Sequence, residues 1–171
     1  MSGDDAGRAG QPESGPGPAR HRDRIAMTAA DQAALLAESR KLQLATINRD
    51  ATPHLVTMFY VMLDGRIAFW TYRSAQKARN LVRDPRVTCL VEAGEEYFEL
   101  RGVQVVGTVR RIEDPARVLD IGRRLAAVTM GMSAEALEEY TTKTARKRVG
   151  FVVEPRRIIS WDFRKLARPG G

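Results

Sequence analysis

The 171-residue chain has one cysteine and two histidines, and these scarcities exclude whole classes of chemistry. With Cys89 alone no intramolecular disulfide can form, and no cation beside it in the apolar run RVTCLVEA would lower its pKa. Cys89 therefore reads as a small buried hydrophobe. His21 lies in a Gly/Pro-rich stretch and His54 beside a turn, too few for a His-based metal site, so no metal is expected. No Ser-His-Asp arrangement is legible, and His54 reads as a structural or rim residue. No stretch approaches the roughly 18 apolar residues of a membrane span. The N-terminus lacks the apolar centre of a signal peptide, and the expectation is a cytoplasmic protein with no membrane partner.

Large apolar side chains are also nearly missing from residues 1–26, which hold five of the 14 glycines and three of the eight prolines. Such a segment cannot offset the entropy of its own ordering, so it is expected to be a disordered tail, with Met27 a possible alternative start. Residues 27–165 carry the apolar pattern of one domain, and 166–171 read as a flexible C-terminal tail.

Within the domain, Thr28 and Asp31 open a helix as N-cap and acidic first turn. LQLATIN reads as a strand, RDAT as a turn and PHLVTMFYVML as a long strand. Asp64-Gly65 suits a tight hairpin turn that returns the chain through RIAFWTY. A helix is expected from about Gln76 to Arg83, ended by Asp84-Pro85 because the residue before proline avoids helical angles. RVTCLVEA and YFELRGVQVVGTVRRI follow as a strand pair, with Gly102 and Gly107 as places where a strand bulges or bends. Asp114-Pro115 and Ser133 start two further helices, and RVGFVVEP and RIISWDF close the domain as strands. Hairpin-linked strands with few helices predict a mainly β, α+β domain: an antiparallel barrel with peripheral helices. The run from Pro53 to Leu63 is apolar on both faces, whereas one barrel covers only one. The other face is expected to meet a second subunit.

Net charge is +7, from 28 Lys and Arg against 21 Asp and Glu, which favours anionic partners. The basic residues concentrate in AFWTYRSAQKARNLVRDPRV, where Arg73, Lys77, Arg79, Arg83 and Arg86 follow an apolar strand. A helix that starts near Gln76 offers unpaired N–H groups and the positive end of its dipole. With Lys77 in the first turn, the combination is a phosphate site.

LATINRDATPHLVTMFY and FWTYRSAQKARNLVRDPRV, in that order and spacing, resemble the flavin-binding split-barrel family that includes pyridoxamine 5'-phosphate oxidase. The similarity is greatest to its actinobacterial branch that uses the deazaflavin coenzyme F420, and it covers about Asp31 to Phe163. It implies a split β-barrel of the flavin-reductase or pyridoxamine oxidase kind, a homodimer with the cofactor groove at the interface, and oxidoreductase activity on a small-molecule substrate. By position, Val56, Thr57 and Met58 would line the flavin-type ring, and Trp70, Thr71 and Tyr72 would hold the ring and its sugar-like chain. Arg73 and Lys77 would meet the phosphate, Asn80 the loop or the phosphate, and Trp161 on the closing strand would contribute at the interface. Pyridoxamine oxidase has basic residues on the second strand that reach the phosphate of FMN, but here no Lys or Arg lies between Arg49 and Arg66. The departure counts against classical FMN oxidation and a vitamin substrate, while the flanking arginines, more than one phosphate needs, suit F420, whose phosphodiester tail ends in carboxylates. The alternative is an FMN-binding oxidoreductase or electron-transfer module on the same fold.

With a hydride-carrying cofactor the ring performs the difficult chemistry and no protein nucleophile is needed. Tyr60 is the one candidate proton donor. A competing reading is a cofactor-free barrel that binds single-stranded nucleic acid through Phe59, Trp70, Tyr72 and the arginines. Against it, those aromatics sit within apolar strands rather than among exposed basic residues.

Overall fold

The computed structural model describes residues 18–166. Helix α1 (Pro18–Ile25) precedes α2 (Ala29–Glu38), strands β1 (Lys41–Ile47), β2 (Pro53–Phe59), β3 (Val61–Leu63) and β4 (Arg66–Tyr72), and helix α3 (Gln76–Arg83). Strands β5 (Arg86–Ala93) and β6 (Arg101–Ile112), helices α4 (Pro115–Thr129) and α5 (Ala134–Ala145), strand β7 (Arg148–Asp162) and a 3-10 turn (Phe163–Lys165) complete it. The tail expected over 1–26 is corrected from Pro18 onward: Ile25 is buried, and the Met27 amide that follows α1 donates to Ser160 Oγ on β7. The remainder of that tail, residues 1–17, and residues 167–171 of the expected C-terminal tail lie outside the described residues.

The seven strands form one antiparallel sheet in the order β2-β1-β5-β6-β7-β4-β3. Its two edges, β2 and β3, are consecutive parts of the run Pro53–Leu63, separated only at Tyr60. An order whose ends are neighbours in the chain requires the sheet to curl back on itself, which is the expected barrel. The long strand from Pro53 to Leu63 is thus two, because Tyr60 turns inward to the core.

Local signals act where the residues place them. Thr28 and Asp31 make a reciprocal capping box on α2, Asp114 and Ser133 cap α4 and α5, and Asp64-Gly65 turns with positive φ at both positions. The sheet bends at a register shift between Val106 and Gly107 opposite Pro155 and Arg157 on β7. A Cβ on Gly107 would stand 2.1 Å from the Glu154 carbonyl oxygen, so only glycine lets the two backbones approach this closely. RVGFVVEP and RIISWDF are therefore one bent 15-residue strand rather than two.

Alternation along β4 and β7 divides the apolar residues between two clusters. Ile67, Phe69, Phe151 and Val153 face the barrel interior with Leu42, Leu44, Cys89 and Val103. Ala68, Trp70 and Val152 face outward and are covered by Val118, Ile121 and Leu125 of α4. Burial pushes the Cys89 thiol up to about 12, consistent with an inert core cysteine. Among the described residues no helix is long and apolar enough to cross a membrane.

Candidate functional site

Because β4 is covered by α4 over only part of its outer face, a cleft of about 300 Å³ remains between that face, the outer side of β2 and the α4–α5 pair. Thr57, Met58, Trp70, Thr71, Tyr72 and Lys77, all singled out from the sequence, line it. Trp70 is only 8% exposed; its ring packs on α4 so closely that a Cβ at Gly122 would lie 2.4 Å from it. Trp70 is at once core and cleft wall. Thr71 points into the barrel and is buried, so it borders the cleft at the strand's backbone.

Helix α3 begins at Gln76 behind Ala75, and no side chain caps it. Its first N–H groups are left for a ligand or water. The Lys77 ammonium sits in this first turn and lines the cleft. Burial, followed by the charge of Arg148, lowers its pKa below the usual lysine value.

The other basic residues of the junction have different occupations. Arg79 donates to the Ser74 carbonyl at 2.6 Å and closes the loop before α3. Arg83 reaches the Ile47 carbonyl, and Arg86 is paired with Asp84 at 2.6 Å, whose carboxyl is drawn down to about 2 by the hydrogen bonds from Arg86. Arg73 lies outside the cleft, in an adjoining depression with Arg49, Arg79, Arg83 and Arg111.

Besides Arg73, four sequence candidates are not brought into the cleft. Val56 turns inward and packs against the barrel core. Asn80 is fully buried: its amide donates to Thr46 Oγ1 at 3.1 Å and Asn48 Oδ1 at 3.0 Å, and its carbonyl accepts from Gln76 at 2.9 Å. It ties α3 to β1 and the following turn and has no capacity left for a phosphate. Trp161 covers Gly102 near the opposite end of β7 from Arg148, where a Cβ would meet its ring at 2.3 Å. Tyr60 is 2% exposed, and its hydroxyl donates to the Leu36 carbonyl at 2.7 Å; burial raises its pKa. Tyr60 is therefore a structural residue, which corrects the proton-donor reading. Tyr60→Phe is expected to lower stability by about 1–2 kcal/mol, because it leaves a buried carbonyl unpaired, and to leave ligand affinity unchanged. Denaturant melts and a titration on the same variant check both halves.

Sequence reasoning missed the opposite wall: Leu125, Ala126, Thr129 and Met130 of α4 and its end, Tyr140 of α5, and Arg148. Arg148 is the cross-strand partner of Tyr72, with its guanidinium carbon 3.7 Å from the Tyr72 ring centroid and 4.9 Å from that of Trp70. Nothing local marks it, since its neighbour lies on a strand far back in the chain. The cleft thus combines aromatic and apolar walls with two cations and no acidic lining residue, a surface suited to a flat anionic molecule.

The model of the family described as pyridoxamine 5'-phosphate oxidase matches residues 28–162. A conserved hypothetical protein of Mycobacterium tuberculosis is 38% identical, with 88% of this chain and 94% of that one covered and a TM-score of 0.80. A solved structure described as an F420 reductase is 25% identical, covering 73% and 93% of the two chains at a TM-score of 0.54. A FAD-binding protein of Mesorhizobium loti shares the fold at 17% identity, covering 78% and 93% at a TM-score of 0.56. No curated protein matches the chain.

Proposed function

Since the chain belongs to the pyridoxamine 5'-phosphate oxidase family, we propose that it is an oxidoreductase that uses coenzyme F420 to reduce an electrophilic organic small molecule. The observation that carries this reading is the uncapped start of α3, with Lys77, opening into the same cleft as Thr57, Met58, Trp70 and Tyr72. When bound, the deazaflavin supplies hydride transfer. The chain's part is to hold and shield it: Thr57, Met58 and the β4 wall against the ring, and Lys77 with the α3 N–H groups at the phosphate. A cleft of about 300 Å³ is at the small end for a ligand site, so the acidic tail would extend outside it. The depression lined by Arg49, Arg73, Arg79 and Arg111 suits that tail. The lack of Lys and Arg on β2 and the likeness to the F420 reductase support F420. FMN, bound by the same fold, is the second reading.

A homodimer in the cytoplasm is part of the proposal. Leu55 is 64% exposed on the outer side of β2, with Phe59 half exposed beside it, an apolar surface next to the cleft that a second copy would cover. Trp161 would then reach a cleft only across the interface. The expected results are a dimer by light scattering at micromolar concentration and saturable quenching of F420 fluorescence. FMN is expected to bind more weakly and a single-stranded oligonucleotide not at all. Tight FMN binding without F420 would select the second reading. Oligonucleotide binding with neither cofactor would overturn both.

A further inference from the structure

We propose that Arg148 and Lys77 together bind one oxyanion, a carboxylate or a phosphate, in the cleft between β4 and the α4–α5 pair. The proposal shares Lys77 with the cofactor reading but needs no deazaflavin, since any acid-bearing ligand satisfies it.

The register of the sheet fixes where Arg148 stands. Its Cα is paired with that of Tyr72 across β7 and β4, and cross-strand partners project from the same face. The guanidinium lies over the Tyr72 ring, which occupies one of its flat faces and leaves the in-plane N–H groups as the available donors. That planar fork matches the two oxygens of a carboxylate or phosphate. Among the described residues the guanidinium has neither an ion-pair partner nor a hydrogen-bond acceptor, and its Nε is buried without one. A buried donor on a charged group is costly to leave unmade.

Lys77 adds a second uncompensated cation. No aspartate or glutamate lines the cleft, and the Lys77 ammonium is destabilised by burial and by the Arg148 charge. Eight other basic side chains among the described residues are within ion-pair distance of an acid, so acids are not scarce in the fold; they are kept out of this cleft. An anion held between the two cations removes their mutual repulsion and gives the outer N–H groups of the guanidinium an acceptor.

The test is protection of Lys77 from an amine-acetylating reagent, mapped by mass spectrometry at constant ionic strength against rising inorganic phosphate or succinate. In the wild type, labelling of Lys77 is expected to fall saturably while that of exposed Lys147 does not. Arg148→Gln is expected to raise the half-protecting concentration about tenfold or more, and Arg148→Lys, which keeps the charge and loses the fork, by less. Arg148→Lys also keeps the test open if the glutamine variant fails to fold. No saturable protection in the wild type, or the same protection in both variants, would overturn the proposal. Parallel titrations with FMN and riboflavin identify the source of the anion. A loss confined to FMN in Arg148→Gln assigns the site to the cofactor phosphate. Unchanged binding of both, with phosphate protection lost, assigns it to an acidic substrate. Equal losses for both would show that Arg148 acts by packing and would overturn the anion role. Failure of FMN and F420 to bind would count against the cofactor reading while leaving the protection measurement interpretable.

Discussion

Lys77→Ala is expected to weaken F420 binding tenfold to a hundredfold in an equilibrium titration. The lysine stands in the first turn of an uncapped helix and lines the cleft, and a charge-assisted hydrogen bond is worth roughly 1.5–3 kcal/mol. Arg83→Ala is the control from the same helix. Its guanidinium is engaged with the Ile47 carbonyl and with Asn80, so affinity is expected to change by less than about threefold, while some stability is lost. A nucleic-acid surface would behave differently, because each cation neutralises backbone charge and contributes similarly to salt dependence. Repeating both titrations with a single-stranded oligonucleotide at two salt concentrations separates the cases. Equal losses at Lys77 and Arg83 for the oligonucleotide, without saturable F420 binding, would reject the oxidoreductase reading.

Phe69→Ala should be the more damaging change to the fold, lowering stability by about 3–5 kcal/mol. Phe69 is fully buried at the centre of β4, with its ring 5.5 Å from that of Phe151 on the neighbouring strand. Its removal leaves a cavity walled by a curled sheet, where strands tied to neighbours on both sides cannot easily collapse inward. The same strand carries Trp70 and Tyr72 on its other face, so ligand affinity should fall along with stability. The midpoint of urea unfolding, compared with wild type at an unchanged slope, measures the effect. A shift equivalent to under about 1 kcal/mol would mean that the barrel interior repacks.

The elements themselves were legible in the chain because their causes are local. Thr28 with Asp31, Asp114 with Pro115, Asp64-Gly65 and Asp84-Pro85 act through backbone angles and caps within a few residues, and each starts, turns or ends an element where expected. Apolar runs bounded by turn residues likewise marked the barrel strands, and the grouping of Lys77 with Trp70 and Tyr72 was implied by the family resemblance of FWTYRSAQKARNLVRDPRV. What tertiary structure alone decided was which members of a local group remain available. Asn80 and Lys77 lie on the same short helix, yet one is consumed by Thr46 and Asn48 on another part of the sheet and the other opens into the cleft. Tyr60 and Phe59 are adjacent, yet the bend between β2 and β3 buries the first and exposes the second. Arg148 could not be found from its own neighbourhood, because its place over Tyr72 depends on the register between β4 and β7, set by long-range pairing and by the packing of α4 against Trp70. Sequence signals of this kind reach only a few residues along the backbone, whereas the cleft is assembled from strands and helices that meet only after the sheet has curled.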